Sequence, residues 1–279
     1  MNITIVGVGL IGGSVAITLK EKKAVSNIIG VDKSDANLKK ALQLGFIDEG
    51  ATLSDAISRS DVIFLTTPVD ATLQLLPSIL DQVTKQVVVD MGSTKERILQ
   101  AIANHPKRGR LVAAHPMAGT EYSGPEAAIS GLFKGKMMVY VDAMHSDEDA
   151  FDTVDAITEQ LEMNTTFMNA HEHDVHTAYV SHISHITSFA LALTVLEKEK
   201  AQGRIFELAG SGFESTVRLA KSSPDMWTPI FKQNRENVLE VLQEHIKQLQ
   251  TVQQALTNED YDTFYKLIKK SNKIRRILK

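Results

Sequence analysis

Cysteine is absent from the 279 residues, which excludes disulfides, thiolate metal sites and cysteine nucleophiles. No excess of one charge stands out either. Thirty Lys and Arg face 34 Asp and Glu, for a formal net charge of -4, so neither nucleic acid nor an anionic membrane is indicated as a partner. No unbroken apolar run approaches the roughly 20 residues that cross a bilayer. The amino terminus reads as a strand, not as a charged stretch followed by an apolar block, so no signal peptide is evident. Internal repeats and low-complexity linkers are missing too. A soluble, cytoplasmic protein is the expectation. What remains is ordinary for a globular chain: 43% hydrophobic and 23% charged residues, enough for a sizeable core in one large or two modest domains.

Short apolar runs recur through the first half, at Ile3 to Val6, Ile28 to Val31, Val62 to Leu65, Val87 to Val89, Leu111 to Ala114 and Met138 to Val141. Their length and β-branched content predict buried strands. Helical patterns such as Val69 to Leu80 and Lys95 to Ala103 lie between them, and the alternation implies a parallel sheet covered on both faces. From about Ser146 the pattern changes to apolar residues at three- and four-residue spacing. Helices are expected over 147–161, 172–199, 204–220, 224–256 and 258–273, with Thr165–Met168 as one short extra strand. The division is placed at Met144–Ser146, giving an α/β domain over 1–144 and an all-helical domain over 145–279.

The chain opens Asn2-Ile-Thr-Ile-Val-Gly7-Val-Gly9-Leu10-Ile11-Gly12-Gly13-Ser14. This is G-x-G-x-x-G between a strand and an apolar helix. Gly7 permits the tight turn, Gly9 lets the backbone approach a pyrophosphate, and Gly12 lets the helix pack near the strand. The free N–H groups at the helix start, including those of Leu10 and Ile11, then face phosphate. A second strand ends in Asp32, placed to accept hydrogen bonds from ribose hydroxyls and to repel a 2′-phosphate. The α/β domain is thus a Rossmann domain with a mostly parallel, doubly wound sheet, and NAD is the expected cofactor. Thr67-Pro68, beyond the third main strand, supply a wall for the adenosine.

Two further strand ends are dense in polar residues: Asp90-Met-Gly92-Ser93-Thr94-Lys95 and His115-Pro-Met-Ala-Gly119-Thr120-Glu121-Tyr122-Ser123-Gly124. Alcohol oxidation by NAD needs a base for the hydroxyl proton, and an imidazole titrates close to neutral pH. His115 is the candidate base. Ser93 is placed to hydrogen-bond the same oxygen or the nicotinamide, and also suits a helix N-cap. Five of the nine histidines fall between His171 and His185, but their spacing fits no metal motif and no metal site is expected. His182 and His185 share a helix face. Arg218 offers a bidentate fork for a carboxylate, and Trp227 reads as core.

Taken together these segments resemble the prephenate dehydrogenase family. The matching pieces are Gly7 to Ser14, Thr67-Pro-Val69, Asp90-Met-Gly-Ser93, His115-Pro-Met-Ala-Gly-Thr-Glu121, Ser181-His-Ile-Ser-His185 and Arg218 through Trp227. The resemblance implies oxidative decarboxylation of prephenate to 4-hydroxyphenylpyruvate with NAD. It implies His115 as the catalytic histidine and Ser93 as the serine beside the ring hydroxyl. Arg218 becomes the carboxylate-binding arginine, His185 a second pocket histidine, and Thr120 and Glu121 part of the loop that gates the pocket. The helical half then resembles a dimerisation domain, and a homodimer follows. The sequence as read ends at Lys279 without the regulatory extension some members carry and shows no chorismate mutase segment before the α/β domain, and whether tyrosine inhibits stays open. Arogenate in place of prephenate stays open. A β-hydroxyacid dehydrogenase would need a lysine from the helical half, for which Lys221 is the one candidate. A NAD-binding sensor would need neither His115 nor Arg218.

Overall fold

The computed structural model describes residues 1–277, all with their side chains except 201 and 202. Positions 278 and 279, the end of the expected helical domain, lie outside the described residues. The sheet has eight strands: β1 (Asn2–Val6), β2 (Asn27–Val31), β3 (Glu49–Gly50), β4 (Val62–Leu65), β5 (Val87–Asp90), β6 (Leu111–Pro116), β7 (Met137–Val141) and β8 (Asn164–Met168). Their order is β3-β2-β1-β4-β5-β6-β7-β8. The first six run parallel in the order of a dinucleotide-binding sheet. β7 is antiparallel to β6, and β8 runs parallel to β7.

Every residue of β4, β5 and β6 is buried, as expected of strands covered on both faces. The covering helices are α1 (Leu10–Glu21), α2 (Asp35–Gln43), α3 (Leu53–Arg59), α4 (Val69–Gln82), α5 (Glu96–Ala101) and α6 (Glu148–Gln160). On α6, Ala150, Val154 and Ile157, with Leu161 just beyond, share one face and one core with Val112 and Tyr140. Each larger aliphatic buried there stabilises the fold by roughly 1.5–3 kcal/mol. The division at 144/145 therefore falls inside the sheet-bearing part, since both α6 and β8 lie beyond it. The extra strand at Thr165–Met168 is real, and its polar residues suit an exposed sheet edge.

The helical part begins with α7 (Ala170–Thr177), one π-turn (Ala178–His182) and α8 (Ile183–Gln202). Then come α9 (Ser211–Val217), α10 (Pro224–Gln233), α11 (Arg235–Thr257) and α12 (Tyr261–Ser271). Two expected helices are shorter than the pattern suggested. Over 204–220 only α9 is α-helical, because Gly203, Gly210 and Gly212 weaken that stretch. The expected helix over 224–256 breaks at Asn234, which leaves helical geometry at φ -101, ψ 28. Its side chain donates instead to the Asp174 carbonyl at 2.7 Å.

The chain divides into two compact units, Met1–Asn234 and the residues from Arg235 onward. In the second unit α11 packs on α12, and Leu239, Ile246, Leu249 and Leu256 stand exposed along α11. In the first unit the helical run Ala170–Lys200 is long and apolar enough to cross a membrane, and only 11% of its most apolar window is buried. Scanning for unbroken apolar runs misses this stretch because Ser181, His182, Ser184 and His185 interrupt it. Five of its polar side chains, His173, Asp174, Thr177, His182 and Ser188, are buried.

Candidate active site

The carboxyl edge of the sheet presents Asp32, Gly7, Thr66–Pro68, Ser93 and His115 in the spatial order of β2, β1, β4, β5 and β6. Neighbouring strands lie about 5 Å apart, so this edge runs about 20 Å from Asp32 to His115. It fits a long, extended ligand.

The glycine turn is built to approach one. Gly7 sits at φ +95, and a Cβ there would lie 2.8 Å from the Thr66 carbonyl oxygen. At Gly12 a Cβ would meet the Gly7 oxygen at 2.4 Å and Thr66 Oγ1 at 2.5 Å. Gly9 has nothing within 4 Å on its Cβ side, which leaves an open cradle at the start of α1. No side chain caps α1, so the N–H groups of Leu10 and Ile11 keep their donors for an anion. Asp32 is fixed by the Val8 N–H at 3.1 Å and the Ser34 N–H at 2.9 Å. A carboxylate has about four acceptor sites, and capacity for a ribose hydroxyl remains. These residues fit a dinucleotide. Thr66, not singled out by sequence, donates to the Val6 and Gly7 carbonyls at 3.0 and 2.7 Å and clamps the turn. Thr67 instead pairs its hydroxyl with Thr72 at 2.9 Å, and Pro68 starts α4.

His115 is buried at the end of β6, with its Nδ1 2.8 Å from His173 Nε2 on α7. The His173 Nδ1 lies 2.8 Å from Asp174 Oδ1. Asp174 also accepts the Lys95 and Glu96 backbone N–H groups at 2.9 and 3.0 Å. That pair of bonds, and not the Ser93 hydroxyl, satisfies the start of α5, so the N-cap expected of Ser93 is a correction. Ser93 stays half-buried with no hydrogen bond recorded among the described residues. It follows β5 as His115 closes β6, on adjacent strands. Below the loop, Lys95 Nζ pairs with Asp90 Oδ2 at 2.7 Å, both side chains fully buried.

The π-turn sets the helical histidines. His182 is buried, with Nδ1 3.2 Å from Asn234 Nδ2. His185 donates from Nδ1 to the Ser181 carbonyl at 3.0 Å and stacks on Trp227 with ring centres 3.5 Å apart. Among the described residues, Ser188 Oγ and Trp227 Nε1 are buried without a hydrogen-bond partner, which is uncommon. Arg218 and Glu121, far apart in sequence, form an ion pair at 2.7 Å. A backbone hydrogen bond of Glu121 itself, and then the Arg218 guanidinium, hold the Glu121 carboxyl below its ordinary value. Thr120 accepts from the Tyr122 N–H at 3.2 Å.

Burial depresses the whole histidine group. It holds His115 well below the ordinary imidazole value of 6.5, helped by His173, Lys95 and His182. It lowers His173 against the pull of Asp174, pushes His182 down to about 4, and lowers His185. In each case the unfolded chain binds the proton first as pH falls, so native stability drops below about pH 6.5. Carboxylates lose their contribution only at lower pH. The thermal midpoint should therefore fall between pH 7 and pH 5, followed by intrinsic fluorescence. A midpoint that is flat or rises over that interval would show the histidines to be solvated.

Two family descriptions match the chain: "Prephenate dehydrogenase, nucleotide-binding domain" over residues 15–166 and "Prephenate dehydrogenase, dimerization domain" over 169–270. The Bacillus subtilis (strain 168) prephenate dehydrogenase is 29% identical over 98% of this chain and 75% of its own length. That of Lactococcus lactis subsp. cremoris (strain MG1363) is 30% identical over 99% and 77%. The solved A. aeolicus prephenate dehydrogenase, in complex with hydroxyphenyl propionate and NAD+, superposes with a TM-score of 0.88. It is 29% identical, covering 100% of this chain and 98% of that one.

Proposed function

The chain belongs to the prephenate dehydrogenase family, and on that premise we propose that it catalyses NAD-dependent oxidative decarboxylation of prephenate to 4-hydroxyphenylpyruvate, a step of tyrosine biosynthesis. The observation that carries this reading is a buried histidine at the carboxyl end of β6. Its Nδ1 is engaged by His173, and among the described residues nothing hydrogen-bonds its Nε2.

When bound, NAD supplies the hydride acceptor. The Gly7–Gly12 turn and the N–H groups of Leu10 and Ile11 would hold the pyrophosphate, Asp32 the ribose, and Thr67 and Pro68 would flank the adenosine side. The substrate hydroxyl donates to His115 Nε2, with Ser93 Oγ as a second hydrogen-bonding group. As the C–H bond at the hydroxyl-bearing carbon gives up hydride, His115 takes the O–H proton. The ring C–CO2 bond breaks, carbon dioxide leaves, its electron pair completes the aromatic ring, and His115 returns the proton to the resulting phenolate oxygen. Aromatisation supplies the driving force, so the protein chiefly positions and deprotonates. Arg218 holds a substrate carboxylate in a charge-assisted pair. In the free enzyme Glu121 occupies that guanidinium, so substrate entry exchanges one carboxylate partner for another, while Thr120 and His185 line the pocket.

The exposed apolar residues along Ala170–Lys200 and α11 are covered by a second copy of this chain. The buried histidine and serine within that run favour a protein surface over lipid there. A cytoplasmic location belongs to the same proposal, supported by the similarity to the Bacillus subtilis and Lactococcus lactis enzymes.

Side-by-side kinetics with prephenate and arogenate, each with NAD, test the substrate. A higher kcat/KM with prephenate is expected. Equal or better turnover of arogenate would change the substrate and keep the mechanism.

A further inference from the structure

Asp174 and His173 take no part in the steps above, yet both are almost fully buried beside the proposed base. We propose that Asp174, acting through His173, is the positioning residue that keeps a lone pair on His115 Nε2, and that the same carboxylate fixes the Ser93 loop. The inference rests on the reading of His115 as base and deepens it.

The argument is an accounting of hydrogens. An ionised carboxylate only accepts. Asp174 Oδ1 and Oδ2 already take the Lys95 and Glu96 N–H groups, so at the 2.8 Å contact His173 Nδ1 must be the donor. Burial keeps His173 neutral near pH 7, and a neutral imidazole carrying hydrogen on Nδ1 has a lone pair on Nε2. His173 Nε2 therefore accepts, and His115 Nδ1 donates across the second 2.8 Å contact. Neutral His115 is then left with its lone pair on Nε2. Each tautomer follows from the one before, and the first is set by Asp174. When His115 gains the substrate proton, the cation faces His173, whose far side meets the carboxylate. The charged and titratable groups around the pair are His173 and Asp174 from α7, Asp90 and Lys95 from β5 and its loop, and His182 from the π-turn.

The loop half of the proposal rests on the same oxygens. The two amides that Asp174 accepts begin α5, two and three residues after Ser93. Thr94 is held as well, donating to Gln233 Oε1 at 2.8 Å, and Gln233 in turn donates to Asp70 at 3.0 Å. Ser93 thus sits on a loop tied from both sides, and Asp174 is the one tie shared with His115. A carboxylate that only capped α5 would need no His173 between it and His115.

Replacing Asp174 with asparagine makes a side-chain N–H available to His173 Nδ1. The chain of tautomers then reverses and His115 Nε2 carries hydrogen. Asp174→Asn should lower kcat by about a hundredfold to ten-thousandfold, the range reached when a base is held in the wrong tautomer, with KM for prephenate and NAD affinity little changed. His173→Leu keeps both α5 amide bonds and removes the link, so it should lose kcat while the thermal midpoint falls only by the worth of the two hydrogen bonds removed. His173→Gln, whose carboxamide oxygen can accept from His115 Nδ1, should recover part of it. The readout independent of turnover is 15N NMR of the His115 ring at pH 7: Nδ1 protonated and Nε2 bare in the native enzyme, the reverse in Asp174→Asn. Full kcat in His173→Leu, or Nε2 protonated in the native enzyme, overturns the inference. If His115→Asn loses turnover while His173→Leu does not, only the relay is wrong. If His115→Asn also keeps full turnover, the base assignment itself has failed.

Discussion

Asparagine in place of His115 should lower kcat by about 10²–10⁴-fold, the usual worth of a positioned general base, while leaving NAD affinity unchanged. The substitution is chosen for its geometry. An asparagine amide sits near the position of imidazole Nδ1 and can still donate to His173, so the buried chain to Asp174 keeps its partners. What disappears is the acceptor at Nε2. Among the described residues no hydrogen bond links His115 to the glycine turn or to Asp32, so dinucleotide binding should not register the change. Stopped-flow or steady-state NADH formation gives kcat, and quenching of Trp227 fluorescence or calorimetry gives the NAD affinity. A variant with native turnover would remove His115 from the mechanism. A variant that loses NAD binding in equal measure would mean that the histidine serves the cofactor site.

Lys95→Met should destabilise the protein by about 3–5 kcal/mol, the cost of stranding one member of a buried ion pair. Lys95 Nζ meets the Asp90 carboxylate at 2.7 Å and the Asp90 carbonyl at 3.2 Å, and both side chains are closed to solvent. Burial pulls the ammonium below its ordinary value even against two aspartates. Without it, Asp90 keeps one donor, the Gly92 N–H at 2.8 Å, and its charge is otherwise uncompensated. Urea unfolding measures the loss. Pairing the substitution with Asp90→Asn should recover most of it, since removing both charges leaves nothing stranded. A loss below about 1 kcal/mol would place the pair in a far more polar setting than its burial indicates.

The strands and the cofactor turn were legible in the sequence because each is specified locally. Short β-branched runs of three or four residues, a glycine pattern and an acid at a strand end carry their own geometry. β3 was not legible, since two residues form no pattern. The break at Asn234 was hidden as well, because the helical period runs straight through it while the side chain is drawn off to the Asp174 carbonyl. Ser93 illustrates a local rule overruled from a distance. It has the composition of an N-cap, yet a carboxylate 81 positions later supplies the bonds. By sequence His173 is one of five histidines between His171 and His185, at a spacing that fits no metal motif. No local signal tells that it meets His115 across 58 positions. Arg218 and Glu121 were each singled out for substrate, and their pairing with each other emerges only in three dimensions.

The most direct test of the central claim is the stoichiometry of one reaction: purified protein with prephenate and NAD, following NADH by absorbance and carbon dioxide and 4-hydroxyphenylpyruvate by mass. Equimolar amounts of all three are predicted. No NADH from prephenate, in a protein that demonstrably binds NAD, would contradict the account.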